Sequence, residues 1–158
     1  QLAALRHLLH TVDTATVSII VPHWSAAVAA GDGERLVQRI LNETHRDLEV
    51  LLIDDAFPAA AAVSVQRNRV SESRSIVHVG VPPLRYASQH VALGLALASG
   101  NFATTWTPLQ RFGFDRIATQ LHAIRRSLNA TDVVRGAVAG VAPVRVGGLL
   151  HLSEVAEG

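Results

Sequence analysis

Two short apolar runs, each closed by a residue that cannot prolong it, set the terms on which this chain can fold. Val17–Val21 is a run of Val and Ile broken only by Ser18, and Pro22 ends it. A segment of that length and branching reads as a strand buried on both faces. Residues 48–53 form a second such run, which stops abruptly at Asp54 and Asp55. Between them, residues 34–41 place Leu36, Val37, Ile40 and Leu41 on one helical face. Strand, helix, strand in that order predicts a parallel pair, with two carboxylates at its carboxyl end, the edge where open α/β sheets bind ligands.

The pattern continues along the chain. Residues 2–9 have helical spacing, residues 25–33 are rich in Ala and Gly and read as a loop, and residues 59–70 read as a helix. Residues 75–79 give a third strand, and Pro82 and Pro83 break the chain after it. A helix is expected over 86–98 with Gly100 just beyond its end, a strand over 102–106, and a helix over 115–128. The β-branched stretches around Pro143 and Gly147 suggest a pair of strands within 132–153. The expectation is one α/β domain over 1–158, a mostly parallel sheet with helices on both faces: a leading helix within 1–16, a nucleotide-binding half over 17–128 and a short β-rich remainder over 129–158.

Composition removes several chemistries. The chain has 158 residues and a net charge of +1, and all its basic residues are Arg. Without Lys there is no P-loop and no Schiff base, and without Cys there is no thiolate site or disulfide. The near-neutral charge predicts no nucleic-acid partner. Abundant Ala and Arg without Lys read as the product of a GC-rich genome, so a GC-rich bacterium is the expected source. The first twenty residues mix Arg6, His7, His10 and Asp13 into short apolar runs, so neither a signal peptide nor a membrane span is expected, and a cytoplasmic protein is. A chain that starts at Gln1 and contains no Met reads as a piece of a longer one.

Val17-Ser-Ile-Ile-Val-Pro22, the acid-terminated stretch from His45 to Asp55, and Ala98-Ser-Gly-Asn-Phe102 stand in an order that resembles the inverting family-2 glycosyltransferases. The resemblance runs from about Val17 to about Leu128. It implies a GT-A-like, three-layer α/β/α fold with a Rossmann-like half that binds a nucleotide-diphosphate sugar of UDP or GDP type. It implies that the strand-end residues Pro22, Trp24, Asp54 and Asp55 form the nucleotide site, with Trp24 stacking on the base and Asp55 hydrogen-bonding it. Each has a structural alternative: Trp24 as cover for a sheet edge, and the acids as caps for a following helix.

The sequence departs from that family where the chemistry should be. A family member carries Asp-any-Asp after the strand at 102–106, to hold Mg or Mn against the diphosphate. This chain has no acid between Asn101 and Phe114. Arg111 stands in that turn, either as a contact for phosphate oxygens or as a solvated loop residue. Gln89 and His90 stand where the family carries a basic residue and Asn. No catalytic base is identifiable after 128, so the resemblance leaves the acceptor site to another domain or protein. Of eight scattered His, only His7 and His10 have helical ligand spacing, and the expectation is of no metal site. Two readings follow: a transferase, or a pseudo-glycosyltransferase kept as a scaffold, interaction or nucleotide-sensing module.

Overall fold

In the computed structural model, the residues described are 14–58, 60–107, 115–129 and 150–151. The expected leading helix and most of the 132–153 region lie outside them, as does Arg111. The elements are β1 (Val17–Val21), α1 (Trp24–Ala29), α2 (Gly33–Leu41), β2 (Leu48–Asp54), β3 (Ser64–Arg69), β4 (Arg74–Gly80), α3 (Ala87–Leu97), β5 (Phe102–Thr105), α4 (Arg116–Asn129) and β6 (Leu150–His151).

They form an α/β domain around one mostly parallel sheet, in the order β3-β4-β2-β1-β5-β6. Strands β4, β2, β1 and β5 run parallel, with Val17 opposite both Leu48 and Phe102. Strands β3 and β6 are antiparallel to their neighbours. Strand β1 is buried along its whole length. The chain moves from β1 to β2 and β4 on one side, then returns across the sheet to place β5 on the other.

Alternation along the strands divides the core into two layers. Val17, Ile19 and Val21 of β1 join Leu48, Val50 and Leu52 of β2 beneath Leu36 and Ile40 of α2 and Ile117 and Leu121 of α4. Ile20, Leu51, Ile53, Val77 and Val79 face the other way, against Leu93 and Leu97 of α3. Helices therefore cover both faces, and each fully buried aliphatic side chain contributes about 1.5–3 kcal/mol. The close approach of α3 depends on Gly94, since a Cβ there would lie 2.5 Å from a methyl of Ile20.

Two expectations are corrected. The helix expected over 59–70 is instead the strand β3, bonded antiparallel to β4 from Ser64–Gly80 to Arg69–Ser75. The alanines at 60–62 suggested a helix, but β4 offers an open edge, and pairing with it outweighs local propensity. Residues 25–33, read as a loop, contain most of α1, because Trp24 anchors that turn on the core while Ala27 is buried beneath it.

Candidate functional site

Parallel register brings the carboxyl ends of β1, β2, β4 and β5 to one edge of the sheet. Pro22, His23, Trp24 and Ser25 leave β1 there, and Asp54 and Asp55 end β2. Pro22 is buried and fixes the exit of the chain. His23 follows with φ 53° and ψ 44°, the one non-glycine residue at positive φ among those described.

Asp55 is the organised acid of the pair. Ser25 donates its hydroxyl to Asp55 Oδ1 at 2.8 Å, and His90 Nε2 lies 3.3 Å from Oδ2. Burial pushes the Asp55 carboxyl up, but the Ser25 hydroxyl, the charge of His90 and the backbone N–H groups of Leu84 and Asp55 together hold it below its ordinary value. It is therefore ionised at neutral pH, with its side chain 18% exposed at the sheet edge. Asp54 turns elsewhere: its Oδ1 accepts from the Ala56 N–H at 3.1 Å, and Oδ2 lies 3.3 Å from His78 Nε2.

His90, on the first turn of α3, is fully buried. The His23 backbone N–H donates to its Nδ1 at 3.2 Å, so the neutral ring carries its proton on Nε2, facing Asp55. Nε2 nevertheless lacks an aligned hydrogen-bond partner. Burial first, and then the neighbouring His23, depress the His90 pKa, although Asp55 pulls it up. The exposed His23 ring stacks at a tilt on His90, with centroids 4.0 Å apart.

Trp24 is half-buried and packs on the core cluster below α2. Its six-membered ring lies over Gly33, where a Cβ would come within 2.9 Å of Cη2. The indole thus covers part of the sheet edge and stays partly exposed. Gln89 does not enter the site, since its Oε1 accepts from the N–H groups of Arg85 and Tyr86 and closes the start of α3. The parallel register places the segments that hold Trp24 and Asp55 after the adjacent carboxyl ends of β1 and β2. The sequence reading noted His90 only as a departure from the resembled family and did not join it to Asp55, which stands 35 residues away, or to His23, 67 away, because no local spacing links them.

A cleft of about 410 Å³ lies at the opposite edge, between Thr16, Glu49, Arg67, Arg69 and Glu72. Its walls carry Arg67, Arg69 and Arg74 against Asp47, Glu49 and Glu72, so the charges balance and create no field for an anion. Arg67 is paired with Glu49 at 2.6 Å, and Arg74 is spent on the carbonyls of Leu41, Glu43, His45 and Arg46 around the end of α2. We place the site by chemistry, at the Asp55 edge. The sequence matches no known protein-family model and no curated protein. None of the described helices is long and apolar enough to cross a membrane.

Proposed function

We propose that this chain is a GT-A-like domain of glycosyltransferase ancestry that binds a nucleoside diphosphate or nucleotide sugar and does not turn it over. One observation carries the reading: an ionised Asp55, held by Ser25 and His90, stands at the carboxyl end of β2 next to β1, the strand that has β2 on one side and β5, reached later by a crossover, on the other. A carboxylate in that place accepts from the imide N–H of uracil or guanine, and the open part of the Trp24 indole offers a face for the base. Residues 107–114 include no acid to ligate Mg or Mn, which favours binding or sensing over transfer.

Isothermal titration with UDP, GDP and their sugar conjugates tests the reading. Binding is expected to weaken about tenfold in Asp55→Ala, as for the loss of a hydrogen bond to a charged group. A smaller loss, about two- to tenfold, is expected in Trp24→Ala. If none of these nucleotides binds, the reading fails. Donor hydrolysis stimulated by Mn²⁺ would instead restore the transferase reading.

A further inference from the structure

We propose that His23, Asp55 and His90 form a binding site for a divalent transition-metal ion of the Zn²⁺ class. One ligand atom from each of the three lies within 4.8 Å of the others. A tetrahedral ion with ligands at about 2.0–2.1 Å requires ligand atoms roughly 3.3 Å apart, and His90 Nε2 and Asp55 Oδ2 already stand at 3.3 Å. The His23 ring is exposed and can close the remaining gap by rotamer change. The same Nε2 is buried and faces this corner, with Asp55 Oδ2 close by but not aligned for a hydrogen bond, as suits two groups placed to share an ion.

Two imidazoles and one carboxylate select Zn²⁺, Co²⁺ or Ni²⁺ over Mg²⁺ and Ca²⁺, which prefer all-oxygen cages. Three protein ligands leave a coordination position open to solvent or to an anionic ligand. Ser25 holds the other oxygen of Asp55, the kind of outer hydrogen bond that orients a ligating carboxylate.

Proton positions make metal binding a two-state event. Without metal, the His23 N–H occupies Nδ1 of His90, so the Nε2 lone pair is covered by a proton. Coordination through Nε2 needs that proton on Nδ1, and an Nδ1–H cannot face a backbone N–H. A flip of the Pro22–His23 peptide removes the conflict, because it exchanges the directions of the N–H and the Pro22 carbonyl. The carbonyl then accepts from Nδ1–H, the usual support for a metal-bound histidine. The same flip carries His23 out of the left-handed region, where it stands at φ 53°. The metal-free arrangement and the metal-bound one are thus alternative settings of one peptide.

This inference shares Asp55 with the nucleotide reading but does not rest on it, and its test contains no nucleotide. The metal-free chain is titrated with ZnCl₂, and one equivalent per chain is expected to bind. Affinity should fall at least about tenfold in Asp55→Ala and in His23→Ala, since losing a ligand costs at least as much as losing an outer partner. His23 is exposed, so its replacement removes no core side chain. A His7→Ala/His10→Ala double variant should bind as the parent does. Imidazole ¹⁵N shifts of His90 should change from the Nε2–H tautomer to the Nδ1–H tautomer at saturation. Absence of zinc binding, binding unaffected by His23→Ala, or an Nε2 proton retained on His90 at saturating zinc would each overturn the proposal.

Discussion

Glu49 shows how a single charged residue can sit inside an apolar strand. It is 1% exposed on β2, yet Oε2 accepts from the Ser18 hydroxyl at 2.6 Å and the Ser99 N–H at 2.8 Å, while Oε1 takes the Ser99 hydroxyl and the Arg67 guanidinium. Burial raises its pKa, but these partners together depress it below 4.5. A carboxyl depressed on folding contributes stability that is present above its unfolded pKa and is lost as pH falls through the folded value. Glu49→Gln should therefore cost about 1–3 kcal/mol in urea unfolding at neutral pH, and the difference from the parent should shrink below pH ~4.5. A difference unchanged by acid would mean that packing, not charge, accounts for the loss. Asp55 was legible in the sequence because an apolar run that ends in acids fixes both its strand and its edge. Glu49 and His90 were not, because their partners come from β1 and the segment after it, the end of β2, β3 and the residue that follows α3's C-cap, and no spacing along the chain encodes those meetings.

Elements were legible where a periodic run is buried on the face its period predicts, as in β1, β2, α2 and α4. Strand β3 was not: Ser64, Val65, Gln66, Arg67, Asn68 and Arg69 are nearly all exposed, so their strand character comes from the backbone of β4 rather than from their own burial. Arg67 and Arg69 also place charge on this outer strand, a common defence against edge-to-edge association. Helix α3 depends on its neighbour in the opposite sense, through what it lacks. Ala in place of Gly94 would gain roughly 0.5–1 kcal/mol of helix propensity, but its methyl would collide with the Ile20 side chain at the centre of β1. Moving that branched side chain in a packed core costs about 1–3 kcal/mol. Gly94→Ala is thus expected to be net destabilising in urea unfolding, and its cost should be smaller in an Ile20→Ala background, which lacks the atoms the new methyl would meet. A more stable single variant would show that α3 stands off the sheet.

At the scale of the whole molecule, Glu43 ties the turn after α2 to the start of α4, two parts of the chain separated by four strands. Its side chain is 2% exposed, and Oε1 accepts from the Ile117 N–H at 3.2 Å, while the buried Oε2 meets no hydrogen-bond donor among the described residues. Arg116 lies close enough to interact with it electrostatically; burial pulls that guanidinium down to about 10, against the pull of Glu43, and it stays charged at neutral pH while stacking 5.1 Å above the Trp106 ring. For Glu43, burial outweighs the backbone N–H groups of Ile117, Ala118, His45 and Thr44 and raises the carboxyl above 4.5. Between 4.5 and that raised value the folded chain keeps a proton that the unfolded chain releases, so stability falls as pH rises through this window and the cost is complete above it. Glu43→Gln keeps the shape and an oxygen for the Ile117 N–H but cannot ionise. Urea midpoints measured from pH 4.5 upward should therefore decline in the parent relative to Glu43→Gln, with the gap widening as pH rises. A gap that narrows instead would mean that the start of α4 and Arg116 stabilise the ionised carboxylate more than burial penalises it. In that case Glu43 would act as an anchor for α4 at neutral pH, and the join between the two halves of the sheet would be electrostatic rather than a matter of packing.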